Sequence, residues 1–157
     1  MKRVVVLSTR LRPGSNSNTL AERVAEGAKV AGNEVEFISL RGKEIKFCIG
    51  CMSCQMKTLI GRMNAMYPKD YMFRDIYLLT TAAENEAYKP KRAESSLQGW
   101  IECHEKSTLK SHLFCGVVND PKEICGNDKL EKAYGLGKRL VKSNTRLERV
   151  VTLEKSA

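Results

Sequence analysis

Residues 4–20 read Val4-Val5-Val6-Leu7-Ser8-Thr9-Arg10-Leu11-Arg12-Pro13-Gly14-Ser15-Asn16-Ser17-Asn18-Thr19-Leu20, and their reading decides the fold. The opening run is β-branched and apolar without polar alternation, the pattern of a strand covered on both faces of a parallel sheet. Ser8, Thr9, Ser15, Ser17 and Thr19 then supply hydroxyls, Arg10 and Arg12 supply charge, and Gly14 lets the backbone turn before a helix opens near Asn18 or Thr19. The N–H groups and positive dipole end of a first helical turn attract an anion, and hydroxyls complete its hydrogen bonding. Two readings stay open at this point: a phosphate site, or an ordinary capped helix after an ordinary strand.

Working outward, Leu20, Val24, Ala28 and Ala31 recur at helical spacing, Thr19 with Glu22 has the form of a capping box, and Gly32-Asn33 stops the helix. Val35, Phe37, Ile38 and Leu40 make a second, more polar strand suited to a sheet edge. A helix is expected from Gln55 to Met66 and a third strand over Ile76–Thr81, followed by Ala82-Ala83-Glu84 and a polar loop through Pro90. Leu97, Trp100, Ile101 and His104 mark the next helix, with His104 expected as a half-exposed helix residue. Leu113–Val118 reads as a fourth strand, and a last helix is capped by Asn127 or Asp128. Strand and helix alternate four times, which calls for a parallel sheet with helices on both faces and right-handed crossovers.

The whole chain sets bounds on function. Its 157 residues fit one domain, and 42% hydrophobic with 29% charged residues is ordinary for a globular protein. No apolar run approaches a membrane span, so no membrane partner is expected. The start MKRVVVL has too short an apolar part for a leader and reads as the first strand, so a cytoplasmic location is expected. The net charge of +9 is spread from Lys2 to Lys155 without interleaved aromatics. That pattern favours a solvated basic surface that steers anionic nucleotides over a nucleic-acid platform.

Six cysteines without a leader argue for thiols or metal rather than disulfides. Cys48, Cys51 and Cys54 form a C-x2-C-x2-C array, a spacing at which thiolates converge on an iron-sulfur cube. Three ligands are not four. An open iron, a fourth ligand from Cys103, Cys115 or Cys125, and metal-free thiols all remain readings of the array.

Leu7–Glu22, Phe47–Gln55, the long stretch Gln55–Glu86, Leu97–Lys106 and Gly116–Asn127 resemble the flavodoxin-like NADPH-dependent FMN reductases, in the branch that includes the iron-sulfur flavoproteins. Together they cover most of residues 1–142. The resemblance implies a flavodoxin-like, doubly wound α/β domain over 1–142 and a charged tail over 143–157. It assigns the FMN phosphate to Arg12, Ser15, Asn16 and Ser17, with Ser8 and Thr9 lining the loop and Arg10 standing where the family often has serine. Thr81, Ala82, Ala83 and Glu84 would approach the isoalloxazine ring, and Cys48, Cys51 and Cys54 would ligate a cluster. NAD(P)H would be the co-substrate, with an electron acceptor of unspecified kind and a homodimer as the assembly. No side chain is nominated as general acid or base. A second class of function is a non-catalytic relic of that family, binding phosphate, nucleotide or a thiolate-held metal.

Relatives of this kind carry roughly fifty further residues between positions equivalent to Cys54 and Gln55, including a central strand and a loop on the flavin. An unpaired central strand is a severe liability. The expected repair is a four-stranded sheet of order 2-1-3-4, with the Gln55–Met66 helix as crossover; dimerisation across the gap is the alternative.

Overall fold

The computed structural model describes residues 2–9, 13–43, 60, 63, 73–86, 88–140 and 147–154, with residues 73 and 147–154 described through their backbone. In chain order the elements are β1 (Arg3–Ser8), α1 (Asn16–Val30), β2 (Glu34–Ser39), β3 (Phe73–Thr81), α2 (Tyr88–Glu102), β4 (Thr108–Cys115), α3 (Asp128–Arg139) and β5 (Leu147–Glu154). All strand pairs are parallel, in the order β2-β1-β5-β3-β4. The α/β class and the layering agree with the sequence reading, and β2 lies at an edge as expected.

The strand count and order do not. Instead of four strands in the order 2-1-3-4, the sheet has five, and the slot between β1 and β3 is filled by residues 147–154. The segment expected as a charged tail over 143–157 therefore contributes a central strand. The physical reason lies in the ladder. Direct pairing of β3 with β1 would make one set of backbone hydrogen bonds, whereas insertion of β5 makes two, from Arg3↔Leu147 to Leu7↔Val151 on one side and from Phe73↔Leu147 to Thr81↔Glu154 on the other.

Helices cover both faces. Val4 and Val6 of β1 and Leu79 of β3 pack under α1 and α3 in one cluster with Leu20, Val24, Ala28, Ile124, Ala133 and Leu140. Ile76 and Leu78, of opposite parity on β3, pack under α2 with Ala93, Leu97 and Ile101, joined by Ile60 and Met63. Connections running toward the β2 edge (β1 to β2, β4 to β5) use the α1/α3 face; of the two running the other way, β3 to β4 uses the α2 face, and Ile60 and Met63 of the β2 to β3 connection pack on that face too. A single crossover hand demands that arrangement. Apart from Ile60 and Met63, the expected Gln55–Met66 helix lies outside the described residues.

α1 and α3 touch backbone to backbone. A Cβ on Gly137 would overlap the Val24 carbonyl oxygen and stand 2.7 Å from the Ala28 nitrogen, and one on Gly27 would overlap the Tyr134 carbonyl oxygen. Buried Asn33 closes the far end of this layer, with Nδ2 donating to the Leu140 carbonyl at 2.6 Å and Oδ1 accepting from the Lys2 N–H at 3.3 Å.

Three boundaries differ from expectation. α2 begins at Tyr88, so Pro90 sits inside its first turn, where a missing N–H costs nothing. β4 runs Thr108–Cys115 rather than Leu113–Val118, because its polar first half pairs as an edge strand. His104 is fully buried beyond the end of α2, with Nδ1 2.9 Å from the Trp100 carbonyl. Among the described residues no helix is long and apolar enough to cross a membrane.

Candidate functional site at the carboxyl edge of the sheet

A parallel sheet delivers every strand's last residue to one edge, and ligands bind outside that edge where the connections diverge. Here the edge is stepped. Leu7 and Leu78 both pair with Val151, β1 ends one residue later at Ser8, and β3 continues to Thr81. β3 thus projects two residues, about 7 Å, beyond β1. The loop between β1 and α1 leaves from the bottom of this step; β5, which runs on to Glu154 opposite Thr81, forms its side, and Thr81-Ala82-Ala83 stands one strand further.

Gly14, at φ +65°, turns the chain into α1. The cap is Ser15, not the expected Thr19–Glu22 box: Ser15 Oγ accepts from the Asn18 N–H at 3.3 Å, and its carbonyl accepts from the Thr19 N–H at 3.1 Å. A serine at the earlier position wins because the helix then starts directly after the glycine turn. The first turn contains no acidic residue, so the positive end of the helix is not neutralised by its own side chains. α3 contrasts with it, opening on Asp128 and Glu131.

Ser8 is buried and its Oγ donates to Asn18 Oδ1 at 2.8 Å, while Asn18 Nδ2 donates to Glu22 at 2.6 Å. Ser17 is fully buried at the same end of α1, and Thr9 is half-buried at the mouth of the loop. Asn16 has a different task. Its Nδ2 donates to the Asp120 carbonyl at 2.9 Å and its Oδ1 accepts from the Ile124 N–H at 3.2 Å, so its side chain staples α1 to the loop after β4. Arg10 and Arg12 lie outside the described residues, as do Cys48, Cys51 and Cys54.

The second side of the mouth is built from the ends of β3 and β4. Thr81 is buried, Ala82 half-buried, and Ala83 and Glu84 exposed, with Glu84 paired to Lys89. The Ala82 N–H donates to the Cys115 carbonyl and the Val118 N–H donates to the Ala82 carbonyl, each at 3.0 Å. A Cβ on Gly116 would stand 2.6 Å from Asn85 Oδ1 and 2.7 Å from the Glu84 carbonyl oxygen, so only glycine fits between the loops.

The segment 116–127 joins the two sides. Beyond Val118 it reaches Asn16, and the Lys122 N–H donates to the Gly14 carbonyl at 3.1 Å. The Lys122 side chain lies along the phosphate-type loop, its Cγ and Cε 3.6 Å from where a Gly14 Cβ would be. Glu123 holds the turn by accepting from the Asn119 and Asp120 N–H groups at 2.6 and 2.9 Å, and these two donors keep its carboxyl below the usual carboxylate range. Lys122, Asn18 and Val117 were not singled out in the sequence. For Lys122 the one available signal was its place in a Pro-Lys-Glu turn, which does not reveal that the turn folds back onto Gly14.

The arrangement offers backbone donors and hydroxyls on a first turn without acidic residues at one end, a lysine beside them, and small or apolar exposed residues at the other. Such a mouth suits an elongated ligand with an anionic end and a flat end. Among the described residues no group of three or more His, Cys, Asp or Glu side chains converges as metal ligands. Cys115 is a core residue whose thiol is pushed up by burial, while Cys103 and Cys125 are exposed.

No protein-family model matches the chain, and no curated protein matches it. Among solved structures it is similar to an NAD(P)H:quinone oxidoreductase from Methanothermobacter marburgensis, with a TM-score of 0.47 and 14% sequence identity, over 88% of this chain and 98% of that chain.

Proposed function

We propose that this chain binds FMN at the carboxyl edge of the sheet and works as an NAD(P)H-dependent oxidoreductase. The observation that carries the reading is the start of α1, a Ser15-capped first turn without acidic residues, set in the step where β5 and β3 outrun β1, and lined by Lys122. In this reading the phosphate lies against the first turn of α1 with Ser15, Ser17 and, by sequence resemblance, Arg12 around it. In this reading Asn16 positions the loop, its buried amide joining α1 to Asp120 and Ile124. The ring lies toward Thr81, Ala82 and Ala83, whose small side chains leave one face accessible to a reduced nicotinamide.

The chemistry supplied by bound FMN is the passage of reducing equivalents from nicotinamide to an acceptor. The protein's own part is to grip, orient and partly desolvate. A cluster held by Cys48, Cys51 and Cys54, and pairing of two chains, belong to the same proposal as extensions of the electron path.

Flavin absorbance of the protein incubated with FMN and freed of excess tests it. The expected result is bound flavin that is lost when Arg12 and Ser15 are both replaced by Ala, together with NADPH oxidation by the unaltered chain. Flavin uptake without any NADPH or NADH oxidation would mark a binding module instead. A chain that ignores FMN would overturn the reading.

A further inference from the structure

Of the two described mouth residues other than glycine with a positive φ, Lys122 and Val117, only Val117 is apolar. Its φ is +59°, in the left-handed region where a β-branched side chain is a genuine outlier. Strain of this kind persists only where the surroundings impose it. They do so here on both sides. Cys115 accepts from the Ala82 N–H, Gly116 is wedged against Glu84 and Asn85, and Val118, itself buried, donates to the Ala82 carbonyl.

Folding recovers nothing from the side chain held this way, since Val117 is 65% exposed. A glycine or asparagine would adopt the same backbone without strain and leave no apolar group in water. Val30, the other strongly exposed valine, ends α1 with ordinary backbone angles. Among the described residues Val117 alone combines strain with an apolar group presented at the carboxyl edge, next to the Ala82–Glu84 loop and at the start of the segment that runs on to Asn16 and Gly14.

We infer that Val117 is a ligand-contact residue, whose isopropyl group packs against the flat ring of bound flavin on the same side as the neighbouring Ala82 and Ala83. This rests on the FMN reading above. Contact with an aromatic ring returns the burial that the free protein lacks, and the clamp on Gly116 and Val118 keeps the group in place before the ligand arrives.

The test compares the unaltered chain with Val117→Gly and Val117→Ile by FMN titration, flavin fluorescence and thermal denaturation. Val117→Gly is expected to keep or raise Tm while weakening FMN by about tenfold, the loss of one buried valine side chain. Protection against unfolding by inorganic phosphate should be unchanged, because in this account Val117 touches the ring and not the phosphate. Val117→Ile should retain the affinity. Equal FMN affinity and fluorescence for Val117→Gly and the unaltered chain would overturn the ring contact while leaving the FMN reading standing. An unaltered chain that takes up no FMN would overturn both.

Discussion

The two faces of the sheet are built on different principles. On the α1/α3 side, backbone meets backbone at Gly27 and Gly137 above the larger apolar cluster. On the α2 side the cluster is smaller and adjoins a polar chain, in which Glu94 Oε1 lies 2.9 Å from His112 Nδ1 and His112 Nε2 lies 2.6 Å from Thr80 Oγ1. The first face carries the anion end of the candidate site through α1, and the second supports the strand that leads to Thr81 and Ala82. The difference teaches where precision is concentrated: close helix packing fixes the phosphate-type loop, while the ring side rests on hydrogen bonds that respond to pH.

The hardest blow to this contrast is Gly137→Ala. The added methyl has backbone rather than a flexible side chain in its way, and a loss of about 3 kcal/mol, the upper end of overpacking costs, is expected by chemical denaturation. Gly135→Ala on the same helix is the control, since its Cβ would meet only the Arg139 guanidinium at 3.4 Å; it should be nearly neutral.

Asn16→Ala cuts the staple between α1 and the loop after β4. Two hydrogen bonds are lost and the buried Ile124 N–H is stranded, for about 2 kcal/mol of stability. FMN affinity should fall with it even though Asn16 does not reach the phosphate in this account. Unchanged stability would remove the joint between the two sides of the mouth.

A smaller effect belongs to the α2 face. Burial of His112 holds its pKa below the usual 6.5, against the opposing pull of Glu94. The folded protein therefore binds this proton more weakly than the unfolded chain. Stability from this group is complete above pH 6.5 and is lost progressively as pH falls below that value, until the depressed folded pKa is passed. Denaturation midpoints measured across this window should decline with pH in the unaltered protein, and the decline should flatten in His112→Gln. The slope is the readout, so a uniform loss of stability in the variant does not imitate it.

The first half of the site was legible because its chemistry is local. A β-branched run, a glycine turn and a hydroxyl before a helix are adjacent in the chain, and the structure realises them as β1, Gly14 and Ser15. α3 was legible for the same reason, through Asn127 as cap. β5 was not, because Leu147–Glu154 mixes charged and apolar residues without a period of two, and its pairing is set by a vacancy between strands that are distant in sequence. His112 was missed likewise: a lone histidine in a polar edge strand gives no sign that α2 brings a glutamate to it and β3 a threonine. Lys122 and Val117 depend on how the loop after β4 crosses the mouth, which no local pattern encodes.

The central claim is that the start of α1 grips a phosphate while the ends of β3 and β4 hold a flat ring. Titration calorimetry of the unaltered chain with FMN and with riboflavin, which differ by the phosphate alone, tests it most directly. The account predicts that FMN binds at least about tenfold more tightly, equivalent to about 1.4 kcal/mol from the phosphate grip, and that added inorganic phosphate narrows the gap. Equal affinities for the two flavins, or binding of neither, would contradict it.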